Sequence, residues 1–190
     1  MDGNYALLGG FCGQIKPVLD ESGNRPVNCP DMTDLTERPN TIPWPPLLFA
    51  GAALLALGLH ALLPLPWPGG AWAAVLAVAG LFLGAAGLAL DLATMLAFRR
   101  HNTTVLPHRG ATRLITDGPF RFSRNPIYLG NTLLVTGAGL VFGVAWLIPA
   151  ALAGALATRK LAIEREEEHL ARRFGADWTR YAARTPRWLF

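Results

Sequence analysis

The chain is predicted to be an all-α integral membrane protein. It should have about four transmembrane helices, the last two forming a C-terminal hairpin, followed by a cytoplasmic amphipathic helix. Three observations predict this. Of 190 residues, 52% are hydrophobic and only 16% are charged, a balance typical of membrane proteins. All 17 Lys and Arg fall within three blocks, 1–43, 99–126 and 159–190. The segments between these blocks are long apolar runs, and a hydrocarbon solvent imposes that exclusion.

Residues 1–43 are polar, rich in Gly, Pro, Asn and Asp, and lack periodicity. They read as a disordered extension, leaving 44–190 as the membrane domain. Cys12 and Cys29, separated by sixteen residues with no His nearby, do not form a zinc pattern. Residues 46–63 give 18 positions without a formal charge, about the minimum for a spanning helix. Trp44 and Trp67 flank that run where interfacial aromatics belong.

Residues 71–98 form the second run. The Gly80-xxx-Gly84 spacing within it suits close helix packing. Asp91 is the only acid in any apolar run, and an acid there needs a partner or access to the interface. Residues 127–158 are apolar for 32 positions. One straight helix of that length would extend ~48 Å, well beyond the ~30 Å hydrocarbon core. Gly137, Gly139, Gly143 and Pro149 interrupt it, so the run should fold into two short arms turning near 142–145.

Four arms leave all three basic blocks on one side. The positive-inside rule makes that side the cytoplasm, with both termini there. The abundance of Ala, Gly, Arg, Leu and Pro points to a GC-rich bacterium, hence to an inner membrane. In the last segment, Leu161, Leu170, Phe174, Trp178 and Tyr181 recur at three- and four-residue spacings among charges. That pattern is an amphipathic helix interrupted at Gly175. The Glu run at 164–168 is spaced for surface pairing with Arg172 and Arg173.

The hairpin returns the chain to its starting side. Segments 113–130 and 158–170 should therefore meet, and Arg121, Arg124, Asn125, Tyr128, Glu166 and Glu167 line one pocket. Gly118-Pro119 makes a turn. Asn125 is the natural N-cap of a helix opened by Pro126, whose free N–H groups favour an anion. Arg124 offers a fork for a carboxylate, and Glu166 and Glu167 accept from an ammonium or ribose hydroxyls. Phe120 and Tyr128 offer flat rings for an aromatic group or a cation. S-adenosylmethionine satisfies every group; a phospholipid headgroup satisfies several.

The run LITDGPFRFSRNPIYLG, followed after the hairpin by EEEHLARRFGADWTRY, resembles the signature of the isoprenylcysteine carboxyl methyltransferase family and its phospholipid-methyltransferase relatives. The resemblance covers roughly 44–190 and is most specific over 100–190. It implies a cofactor site, for S-adenosyl-L-methionine, built from 100–130 and 158–181. Arg113, Leu114 and Ile115 would present backbone, and Gly118 and Phe120 would form the adjoining turn. Asn125, Pro126 and Tyr128 would hold the methionyl or adenosyl part, with Glu166 also touching the cofactor. Asn125 stands where eukaryotic carboxyl methyltransferases commonly have His, and Ala162 where a basic residue is expected.

Methyl transfer from a sulfonium needs alignment and exclusion of water. The expected catalytic residues are Arg124, orienting an acceptor carboxylate, and Glu167, taking a proton from an amine or thiol. No metal is expected, since His101, His108 and His169 lack ligand spacing. The implied partners are a lipophilic or lipidated acceptor and membrane lipid, with no nucleic acid. Phospholipid N-methylation is a second enzymatic reading. A non-catalytic scaffold binding anionic lipid through its basic face is a third.

Overall fold

The structure is a computed structural model and describes residues 44–101 and 114–188. The expected extension 1–43 and Arg113 lie outside the described residues. All described residues belong to one compact unit, Arg38–Phe190.

Every regular element among the described residues is helical. In order they are α1 (Trp44–Leu62), α2 (Ala71–Arg100), a 3-10 turn (Gly118–Arg121), α3 (Pro126–Phe142), α4 (Leu147–Thr158), a π-helical turn (Arg159–Ile163) and α5 (Glu164–Arg184). Pro45–Leu62 and Ala71–Arg100 are long and apolar enough to cross a membrane, and only 17% and 11% of an apolar 18-residue stretch in each is buried inside the protein. A soluble core helix of that composition would be buried. Leu54, Leu55, Trp72, Leu81 and Phe82 are instead more than half exposed, so these helices are solvated by lipid. The protein is a membrane protein.

Between lipid-solvated helices the hydrophobic effect gives no drive to associate, so small residues must let backbones approach. Helix α2 buries Gly80, Gly87 and Thr94, one every seventh residue. A Cβ on Gly80 would lie 2.6 Å from the Gly137 carbonyl oxygen, and one on Gly87 would lie 2.7 Å from that of Gly130. The order of contacts makes α2 and α3 antiparallel. The Gly80/Gly84 spacing thus serves contact within the chain. Thr94 fits this seam because its hydroxyl donates to its own helix, at Leu90 C=O, 2.7 Å away.

Helix α3 stops at Gly143, which takes the left-handed conformation (φ 69, ψ 22) that other residues adopt only with strain. Helix α4 starts four residues later, at Leu147, so the long apolar run is a hairpin. Its turn packs on the α1–α2 link: Trp146 Nε1 donates to Leu63 C=O at 2.8 Å, and Gly143 lies against the Trp67 ring. Helix α4 packs on α1, where Phe49 covers Gly154 and Ala56 meets Val144 and Leu147. One end of the bundle therefore carries the two apolar turns, and the other carries the charges.

No loop separates α4 from α5. The chain runs through the five residues of the π-helical turn with Ala162 and Ile163 fully buried. Helix α5 then kinks at Gly175, which has non-helical geometry (φ 49, ψ −118), as its place in the pattern predicts.

Candidate functional site

The charged end is built from three stretches: the link 114–125 with the first turn of α3, the start of α5, and the tail after α5. Gly118 opens the 3-10 turn with φ 57, and the turn is closed by Phe120 N–H to Asp117 C=O and Phe122 N–H to Pro119 C=O, both 3.1 Å. Phe120 sets its ring edge-on to Phe98, with centroids 5.5 Å apart. Its carbonyl accepts from the Tyr181 hydroxyl at 2.8 Å. Burial pushes the Tyr181 phenol above its ordinary pKa, with Arg124 pulling the other way, so this donor keeps its proton. Before the turn, Ile115 is buried and Leu114 half-buried. Where α2 ends, His101 Nε2 meets Asp117 Oδ1 at 2.9 Å.

The two separated motifs meet. Tyr128, in the first turn of α3, donates its hydroxyl to Glu166 Oε1 at 3.0 Å, across 38 residues of chain. Next to it, Arg124 Nη1 approaches Glu167 Oε1 at 3.2 Å, with both side chains at most 15% exposed. The Arg124 guanidinium also lies 5.6 Å from the centroid of the Trp178 ring, within cation–π range. Its Nε is buried and has no hydrogen-bond partner among the described residues. Arg121 is exposed and does not join this cluster as expected.

Asn125 corrects one expectation. It occupies the N-cap position of α3, but its side chain makes no capping bond. Its Nδ2 instead donates to Arg187 C=O at 3.1 Å, and its own N–H goes to Ser123 Oγ at 3.2 Å. Pro126 supplies no N–H and is buried. With the cap unmade, the first intrahelical donor is Leu129, 3.1 Å from Asn125 C=O, and the N–H groups before it precede the helical ladder.

The Glu run does not simply pair along its own helix. Glu164 pairs back to Lys160 of the π-helical turn, at 3.3 Å. Glu167 pairs with Arg124 and with Arg187, whose Nε donates to Oε1 at 3.0 Å and whose Nη2 donates to Oε2. Two carboxylate oxygens held by two guanidinium groups suit an anchor better than a proton acceptor.

Sequence reasoning missed Ser123 and Arg187. Ser123 is buried at 1% exposure and donates to Arg187 C=O at 3.2 Å. Beside it, Arg124 N–H donates to Pro186 C=O at 3.0 Å. The tail 185–187 thus lies along 123–125 through backbone and side-chain bonds. The one signal available was Pro186, which ends α5 and turns the following Arg out of the helix.

A 78-residue stretch is 37% identical to the nickel-cobalt-cadmium resistance protein NccN of Alcaligenes xylosoxydans xylosoxydans, covering 41% of this chain and 36% of that protein. The match thus spans little more than a third of that relative's length. No solved structure matches the chain. The family model for phospholipid methyltransferases matches residues 75–177, which takes in most of α2, the link, the hairpin and both Tyr128 and Glu166. The chain belongs to the phospholipid methyltransferase family.

Proposed function

We propose that the protein is an S-adenosylmethionine-dependent methyltransferase acting on a lipophilic acceptor, with its site at the cytoplasmic end of a four-span bundle. The observation that carries this reading is the Tyr128–Glu166 hydrogen bond. It joins the two segments that the family resemblance assigns to the cofactor. The absence of Lys and Arg between 44 and 98 and between 125 and 158 supports the orientation, with α5 along the inner leaflet.

The residues present fit the cofactor. The buried, unpartnered Nε of Arg124 is a donor of the kind a methionyl carboxylate needs. Tyr128 keeps lone pairs on its hydroxyl after donating, and Glu166 is an acceptor for ribose hydroxyls or an ammonium. Gly118 leaves open space, since a Cβ there would meet only Ala97, at 4.0 Å. Leu114, Ile115, Phe120, Asn125 and Pro126, along the same stretch of chain, would complete the site.

S-adenosylmethionine supplies an electrophilic methyl group on a sulfonium. The protein's task is alignment and exclusion of water. Arg124 holds the anionic end, Tyr128 and Glu166 hold the polar body, and Phe120 with Phe98 walls the turn. Glu167 fixes Arg124 and Arg187, so its role is positional. The acceptor enters from the bilayer, beside the end of α2 where Leu88, Leu92, Met95 and Leu96 are exposed.

Two acceptors are in competition. The resemblance to carboxyl methyltransferases favours the carboxylate of an isoprenylated cysteine. The family match, with Asn125 before Pro126, favours the amine of a phospholipid headgroup. Membranes containing the protein should be incubated with methyl-labelled S-adenosylmethionine and the labelled product treated with base. Label released as methanol identifies an ester, and base-stable label in phospholipid identifies an amine. No labelled product, and no cofactor binding by calorimetry, would refute the methyltransferase reading in favour of a lipid-binding scaffold.

A further inference from the structure

We infer that Arg187 is a positioning residue of the site: by occupying Glu167 it keeps the Nε of Arg124 available to the anionic end of a ligand. This rests on the reading above and adds to it a residue that no motif assigns.

The geometry is a competition for one carboxylate. Arg187 engages Glu167 with its fork, Nε to Oε1 at 3.0 Å and Nη2 to Oε2. Such a fork uses both oxygens in their preferred directions. Arg124 is left with one end-on approach, Nη1 to Oε1 at 3.2 Å, and its plane is steadied by the Trp178 ring. Its Nε stays buried without a partner among the described residues. A buried guanidinium N–H without an acceptor is costly, so it is drawn to any acceptor within reach. Without the Arg187 fork, Glu167 would turn to take Arg124 side-on through Nε and Nη2, as it now takes Arg187, in place of the single Nη1 contact, and so consume that N–H. Glu166 is the other acid alongside, and it accepts from Tyr128.

The tail is fixed independently of the Arg187 side chain. Ser123 Oγ and Asn125 Nδ2 both donate to the Arg187 backbone carbonyl, and Arg124 N–H donates to Pro186 C=O. Truncating the side chain therefore leaves these bonds in place, which separates the fork's role from that of the strap.

The experiment is calorimetric titration of the full chain in detergent with S-adenosylmethionine, for the unmutated protein, Arg187→Ala, Arg187→Gln and the double variant Glu167→Gln/Arg187→Ala. Each of the two single variants should bind roughly tenfold to a hundredfold more weakly, the range of one charge-assisted hydrogen bond. The double variant should recover most of that loss, because a neutral Gln no longer pulls Arg124 away. Recovery distinguishes positioning from a merely structural role, which a second substitution would worsen. Unmutated affinity in Arg187→Ala and Arg187→Gln, or no recovery in the double variant, overturns the inference while the function proposed above stands. No binding by the unmutated protein overturns both.

Discussion

The two halves of this bundle are held together in opposite ways. Along the α2–α3 seam, Gly80, Gly87, Gly130 and Gly137 hold helices together by having no side chains. At the charged end, Arg124, Tyr128, Glu166, Glu167 and Arg187 do so with long side chains that reach between elements. In lipid, apolar side chains lose nothing by staying exposed, so close backbone packing is the available attraction. At the interface water competes for polar groups, and only shielded pairs such as Arg124–Glu167 hold firmly. The seam is therefore scaffold, and the polar end is where the proposed ligand site lies.

Substitutions should separate the two. The largest effect is expected for Gly137→Leu, whose Cβ would lie 2.6 Å from Gly80 C=O and 2.8 Å from Gly84 N. Backbone cannot yield there, so little folded protein should survive detergent extraction. Gly51→Leu is the control, since nothing lies within 4 Å of its Cβ; equal yields would undo the seam argument. Next is Glu167→Ala, which leaves Arg124 and Arg187 facing each other. A loss of about 2–4 kcal/mol follows, allowing for partial exposure, read as a lower melting temperature.

Glu166→Ala and Arg124→Ala should instead act on binding. Each is expected to weaken S-adenosylmethionine affinity by about a hundredfold or more. Wild-type titrations would remove both residues from the site. The smallest effect belongs to Tyr181→Phe, which loses one hydrogen bond to Phe120 C=O and about 1 kcal/mol. Because burial raises the Tyr181 phenol, its contribution holds below the ordinary phenol pKa near ~10 and declines as pH rises past it. Tyr181→Phe should flatten that alkaline decline in a pH series of melting temperatures.

Much of this was legible in the residues. Gly143 marked the hairpin turn, Gly175 marked the kink, and Gly80 with Gly84 marked close packing. In each case a local conformation or a helical spacing carries the signal. The meeting of Tyr128 with Glu166 followed from the hairpin, since two short antiparallel arms return the chain to its starting side. Asn125 was misjudged because a cap is a local bond, and a distant carbonyl at Arg187 took its side chain instead. Arg187 itself lies in a short tail with no periodicity to interpret.

The sequence alone determined which segments are apolar, where they turn, and which end is charged, because hydrocarbon excludes ions whatever the packing. Only the tertiary structure decided that Glu167 serves two arginines, that Asn125 holds the tail, and that Arg124 keeps an N–H without a partner among the described residues. Those choices depend on helix rotation and on atoms brought together from 20 to 62 residues apart, and no local pattern encodes them.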